Sequence, residues 1–232
     1  MVKYNYSIKE DFLHFSFEQK KIILISLFCV ATVLSDILAV KIINWGSITL
    51  ECGCILFPTC YLISDVICEV YNEQTMVKTA FLGMGMKVFM VIVTTLAVLA
   101  PYNPAVFTGQ SALASVFNFV PRIVIASIAG YLVGSVINSR TMSICGNLTN
   151  GRFLALRTIL STVFGELADT ILFIGIAFAF TMSFESLLMF ILSQYILKVG
   201  IEVVLQPLTF KLVAWARGDE EMLDYKREDL SF

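Results

Sequence analysis

The stretch Thr79-Ala-Phe-Leu-Gly-Met-Gly-Met-Lys-Val-Phe-Met-Val-Ile-Val-Thr-Thr-Leu-Ala-Val-Leu-Ala100 carries a single charge, Lys87, in 22 residues. A helix rises ~1.5 Å per residue, so a run of this length covers the ~30 Å hydrocarbon core of a bilayer. Outward from it lie five more apolar runs of similar length, at 22–43, 52–71, 120–138, 158–182 and 186–212. Turn and breaker residues separate them at 44–46, 72–74, 101–104 with Gly109, 139–151 and 183–185. Hydrocarbon offers backbone groups no partners, and the period-two alternation of a closed barrel is missing, so the runs must cross as helices. The expected fold is an all-α, polytopic membrane protein with six transmembrane helices.

Composition agrees: the 232 residues are 58% hydrophobic and 15% charged, too little polar material to clothe a soluble globule. A net charge of −2 leaves no basic surplus for phosphates, so nucleic acid is not an expected partner. The lipid bilayer is one, and a homo-oligomer is compatible with such a chain. Twelve of the sixteen basic residues fall before the first span, after the second, after the fourth or after the sixth. The loops after the first, third and fifth spans have no Lys or Arg outside the helices. The positive-inside rule then places both termini in the cytoplasm. The expected organisation is a cytoplasmic segment at 1–21, a transmembrane domain at 22–216 and a cytoplasmic acidic tail at 217–232. The first apolar run is too long for a signal-peptide core and follows a polar leader, so it reads as a true span. That leader, with Phe12, Phe15 and Phe17, reads as disordered or interfacial. The Asn147-Leu-Thr149 acceptor pattern falls in an inside loop and reads as chance.

The other basic residues, Lys41, Lys87, Arg122 and Lys198, lie inside spans with six carboxylates: Asp36, Asp65, Glu69, Glu166, Asp169 and Glu202. At roughly 2.5–3.5 kcal/mol each, ten such groups facing lipid would cost about 30 kcal/mol. That exceeds the ~5–15 kcal/mol holding a typical fold together. Lys41, Glu69 and Arg122 are near helix ends and can snorkel; the rest must meet one another or a hydrated cavity. Asp65 with Glu69, and Glu166 with Asp169, each share a helix face. Adjacent like charges in low dielectric invite a proton or a cationic partner. Lys198 and Glu202, four apart, read equally as a structural ion pair or a functional one.

Gly130 and Gly134 form a small-xxx-small face, which usually means packing. Pro58 and Pro207 are expected to break backbone hydrogen bonds inside the second and sixth spans. Phe57, Tyr61, Tyr131, Phe164 and Phe173 offer ring faces to a flat ligand or plain packing. The six cysteines have no metal-site spacing and no cofactor is expected. The single histidine, His14, precedes the first span, and neither a metalloprotease motif nor a phosphate-binding loop occurs, so an enzyme is not expected.

Three segments carry a resemblance: Phe57-Pro-Thr-Cys-Tyr-Leu-Ile-Ser-Asp-Val-Ile-Cys-Glu-Val-Tyr71, Pro121-Arg-Ile-Val-Ile-Ala-Ser-Ile-Ala-Gly-Tyr131 and Ser161-Thr-Val-Phe-Gly-Glu-Leu-Ala-Asp-Thr170. In order and spacing they resemble the signatures of the queuosine-precursor transporter family, which belongs with the vitamin-uptake-type transporters. The resemblance runs over 34–215. It implies import of a 7-deazaguanine base such as preQ0, preQ1 or queuine across the bacterial inner membrane, for queuosine modification of tRNA. The matching positions are Asp65 with Glu69, Arg122 with Ser127, Thr162 with Glu166 and Asp169, and Lys198. Two positions depart from the pattern. Ser35-Asp36 stands where an asparagine is frequent, and an added carboxylate would favour a more cationic base. Asn72 replaces the glycine that commonly follows the second-span tyrosine, and that change touches only a turn.

The resemblance and the charges imply a site of Asp65, Arg122, Glu166, Asp169, Lys198, Tyr61 and Ser127, with Glu69, Glu202 and Asp36 as coupling groups or structural ion pairs. Glu166 or Asp169 would accept the paired N–H donors of the base edge. Asp65 would meet a cationic arm or carry a coupling proton, and Arg122 and Lys198 would balance charge. The alternative reading is a substrate-binding membrane subunit that needs a separate energising ATPase.

Overall fold

The computed structural model describes residues 15–46, 48–149 and 154–218. The leader through Phe12, His14, Arg152 and the acidic tail from Asp219 lie outside the described residues. Seven α-helices and one small hairpin follow in the order α1 (Phe17–Leu38), β1 (Ile42–Trp45), β2 (Ile48–Glu51), α2 (Phe57–Tyr71), α3 (Glu73–Leu99), α4 (Gln110–Phe117), α5 (Val120–Leu148), α6 (Leu154–Phe178) and α7 (Phe184–Arg217). Among the described residues, six helical segments are long and apolar enough to cross a membrane. Large apolar side chains that include Leu34, Phe81, Phe89, Leu96, Leu192 and Ile196 stand exposed on the outer surface, as a lipid-facing wall requires. The chain is a multi-pass membrane protein.

Local sequence sets the helix starts. Ser16 Oγ accepts from the Gln19 amide (3.3 Å) and Gln19 Oε1 from the Ser16 amide (2.9 Å), a reciprocal capping box on α1. Asn72 separates α2 from α3 at φ 84°, a conformation that favours glycine, and its side-chain oxygen caps α3 through the Thr75 amide at 2.9 Å. The asparagine therefore makes this turn and also adds a cap.

Several sequence expectations change. The first span ends at Leu38, and Lys41 lies exposed between it and the hairpin. Ile42–Trp45 pairs antiparallel with Ile48–Glu51, Ile42 opposite Glu51 and Trp45 opposite Ile48, with Gly46 at φ 63° in the turn. Cys52–Leu56 winds as a 3-10 turn before α2, so Pro58 sits in the first turn of α2 and breaks no hydrogen bond there. Pro207 does lie inside α7, which continues to Arg217. The expected connection at 139–151 is helical as far as Leu148.

One end of the bundle gathers the start of α1 with the ends of α2 and α7. Lys20 Nζ donates to the Trp215 carbonyl (2.7 Å), Arg217 pairs with Glu69 (2.6 Å), and Phe17 stacks on Tyr71. Leu24, Phe28, Ile63, Val66, Ile67, Tyr71 and Ala216 form an apolar plug there. A second plug of Ala39, Ile123, Ala126, Phe173, Ile174, Ala177, Phe178 and Phe190 fills the hairpin end, Phe178 and Phe190 with ring centroids 5.0 Å apart. The polar groups lie between the two plugs.

Candidate functional site

Helices α5 and α6 pack closely because three glycines line their seam. A Cβ at Gly134 would stand 3.0 Å from both Asp169 Cβ and the Gly165 carbonyl oxygen. A Cβ at Gly130 would lie 2.6 Å from Asp169 Oδ1, and one at Gly165 2.9 Å from Asn138 Cβ. The small-residue face is thus a packing device, and it seats Asp169 at a fixed depth. Glu166, one turn earlier on α6, projects from the same face.

Across from them α7 presents Gln194, Lys198 and Glu202, each four residues from the next and so on one face. The buried Lys198 ammonium bridges α6: it pairs with Asp169 and, at 3.2 Å, with Glu166. Tyr61 Oη donates to Glu166 Oε2 at 3.2 Å, and Lys198 Nζ stands 5.2 Å from the centre of the Phe57 ring. Lys198 and Glu202 are not paired with each other. Glu202 instead accepts from Thr162 Oγ1 at 3.4 Å.

A second cluster lies toward the hairpin. Lys87 Nζ contacts Asp36 at 3.0 and 3.2 Å and donates to Ser127 Oγ at 2.7 Å, tying α3 to α1 and α5. The intramembrane lysine of the third span thus has its counter-charge in Asp36.

Both clusters border one cavity of about 440 Å³, inside the ~300–1,000 Å³ range of small-molecule sites. Of the expected site residues, Tyr61, Asp65, Ser127, Glu166, Asp169, Lys198, Glu202 and Asp36 all line it. Asp65 is exposed and, among the described residues, has no ion-pair partner. Arg122 and Glu69 do not line it. Arg122 donates through Nε to the Ile176 carbonyl (2.7 Å) and through Nη2 to the Ala179 carbonyl (2.6 Å), capping the end of α6. Glu69 joins α2 to α7 through Arg217. Charged hydrogen bonds of the Arg122 kind contribute about 1.5–3 kcal/mol. Arg122→Leu is therefore expected to lower thermal stability by about 2 kcal/mol, read by unfolding in detergent, while ligand affinity changes less than about twofold.

Glu51 is a lining residue that sequence reasoning missed. It ends β2 with 1% exposure, and Gln194 Nε2 donates to its Oε1 at 2.8 Å. Its Oε2 meets no donor in hydrogen-bonding geometry. Standing outside the six membrane-spanning segments, its carboxyl is raised by burial to about 7. The signal was a glutamate abutting an apolar run with no nearby base, hidden because 44–51 read as a connection.

Six carboxyl groups, Asp36, Glu51, Asp65, Glu166, Asp169 and Glu202, thus face two ammonium groups, Lys87 and Lys198, among the described lining residues. The formal surplus calls for compensation by protons, a small cation or a cationic ligand. Phe57, Tyr61, Tyr131 and Phe173 add ring faces. Among the described residues no His, Cys, Asp and Glu group is arranged to hold a metal ion.

The family described as "Putative vitamin uptake transporter" matches residues 51–212. A protein of Bacillus subtilis (strain 168) named "Probable queuosine precursor transporter" is 24% identical over 192 residues, which is 82% of this chain and 83% of that protein. A protein of the same name from Haemophilus influenzae is 27% identical over 135 residues, 58% of this chain and 52% of its own length. No solved structure matches the chain significantly.

Proposed function

The chain belongs to the vitamin uptake transporter family, and on that premise we propose that it imports queuosine precursors, the 7-deazaguanine bases preQ0, preQ1 or queuine, for tRNA modification. The observation that carries this reading is the Lys198 bridge to Glu166 and Asp169 at the wall of an acid-rich cavity lined by aromatic rings. Two relatives named as queuosine precursor transporters support it. A deazaguanine has a flat face, an edge with adjacent N–H donors, a carbonyl and, in preQ1, an amine. The ring stacks against Phe57 or Tyr61, Asp169 or Glu166 accepts the paired donors, and Lys198 turns to the ligand carbonyl as it leaves the carboxylate. Asp65, without a cation of its own, meets the amine. Arg122, placed at the end of α6, acts on the site only by holding that helix. The basic end faces the cytoplasm of the bacterial inner membrane, and import is coupled to a proton or another ion.

The test is uptake of labelled base into cells that lack its synthesis, with tRNA queuosine as readout. The chain should restore queuosine, and Asp169→Asn, correctly inserted, should lower uptake about 10- to 100-fold through loss of a charged hydrogen-bonding site. Normal uptake by Asp169→Asn would remove that residue from the site. Vesicles containing this chain alone should also accumulate base. Dependence on an added ATPase would make it instead the binding subunit of an energised system.

A further inference from the structure

The residue left over by that reading is Glu51. Its carboxyl is buried at the end of the hairpin, between α1 and α7, and among the described residues no cation there is paired with it. On α7, Gln194 offers one neutral N–H donor to Oε1. Lys198, one turn further along, is already engaged by Asp169 and Glu166. On α1, Asp36 brings another carboxylate whose lysine, Lys87, it shares with Ser127. In the 3-10 turn, Cys54 is a free, buried cysteine and the Gly53 amide faces the carboxyl.

The unpartnered oxygen is the more informative atom. A Cβ built on Gly53 would overlap the Ser35 carbonyl oxygen and lie 2.6 Å from Glu51 Oε2 and 2.7 Å from Ser35 Oγ. Oε2 therefore shares one narrow crevice with two oxygens of Ser35, and Ser35 Oγ spends its hydrogen on the Gly53 carbonyl at 3.2 Å. An ionised Oε2 would face the Ser35 oxygens without a hydrogen-bond donor of its own, whereas a protonated one becomes a donor beside them.

We propose that Glu51 is a proton-binding residue of the transport cycle: it holds a proton in this conformation, where the hairpin is latched to α7 through Gln194, and exchanges it with water when that latch opens. Two hydrogen bonds tie the hairpin to α7 among the described residues: the Thr49 amide donates to Ser193 Oγ at 3.4 Å, and Glu51 itself accepts from Gln194. Gln194 stands one turn from Lys198, so a shift of α7 as Lys198 turns to a ligand moves the Glu51 partner. The proton leaves Oε2 for water on one side of the membrane and returns from water on the other, with no bond made or broken beyond O–H. The coupling half of this proposal rests on the transport function above; the protonation half does not.

The experiment has two arms on the purified full chain. In the first, infrared spectroscopy at neutral pH compares wild type with Glu51→Gln, the neutral isostere that keeps the Gln194 contact. Loss of one carboxylic-acid C=O band is expected. An unchanged band pattern overturns the proposal whether or not any base is carried. In the second, vesicles containing the chain are loaded with labelled base. Glu51→Gln should lose accumulation driven by a pH gradient at least tenfold more than it loses base-for-base exchange, and Glu51→Asp should recover gradient dependence. Gradient-driven accumulation by Glu51→Gln equal to wild type, or loss of exchange in both variants, overturns the coupling role. A wild type that shows the band yet moves no base places the failure in the proposed function instead.

Discussion

Lys198→Ala is expected to abolish uptake and to destabilise the protein at the same time. The Lys198 ammonium is buried and is the charge partner of both Glu166 and Asp169. Truncating it leaves two carboxylates three residues apart on α6 with no cation between them. Removing one partner of a buried ion pair costs about 3–5 kcal/mol, equivalent to roughly a hundredfold to several-thousandfold loss in any equilibrium that requires the intact arrangement. Thermal unfolding in detergent reads the stability and labelled-base uptake reads the function. The two effects separate in a triple variant, Lys198→Met with Glu166→Gln and Asp169→Asn, which removes all three charges. Replacing a buried ionic cluster by neutral groups of similar volume is often nearly neutral for folding, so stability should return toward wild type while uptake stays absent. Return of uptake in the triple variant would show that the charges only hold the helices.

The second large effect is expected at Gly134→Leu. The position meets backbone and Cβ atoms of the neighbouring helix at 3.0 Å, so a side chain cannot be accommodated by turning a flexible end aside. Helix α5 must move away from α6, and Asp169 leaves its place beside Lys198. Overpacking costs typically about 1–3 kcal/mol, and here it strikes the seam that carries the site. Gly85→Leu is the matched control, because a Cβ at Gly85 meets nothing within 4 Å. Folded yield and thermal stability should fall sharply for Gly134→Leu and change by no more than about 0.5 kcal/mol for Gly85→Leu. Equal behaviour of the two variants would contradict the close packing of α5 and α6.

These predictions divide cleanly between what was legible in the sequence and what was not. Apolar runs of membrane length are a one-dimensional property, so the six spans could be read directly, and the spacing of Glu166 and Asp169 already put both on one face. Which cation meets them is a property of the packed bundle: Lys198 was paired by spacing with Glu202, but Glu202 turns to Thr162 and Lys198 to α6. Arg122 shows the same limit. Its place near the start of α5 was visible, but the free carbonyls it caps belong to the end of α6, more than fifty residues away. Hydropathy also merges what geometry separates. Ile42 and Ile43 extend the first apolar run and 44–51 reads as a connection, yet Ile42–Trp45 and Ile48–Glu51 pair as a hairpin about Gly46 and deliver Glu51 to the cavity. Pro58 looked like a break within a span because the 3-10 turn before it is as apolar as the helix after it.

The central claim is that the cavity between the two apolar plugs is a binding site for a 7-deazaguanine base, built on Lys198, Glu166 and Asp169. Equilibrium binding of labelled preQ1 to the purified chain in detergent, wild type beside Asp169→Asn, tests it most directly. Saturable binding at one base per chain, competed by preQ0 or queuine and lost in Asp169→Asn, is the predicted result; no saturable binding to the wild type, or unchanged binding to Asp169→Asn, would contradict it.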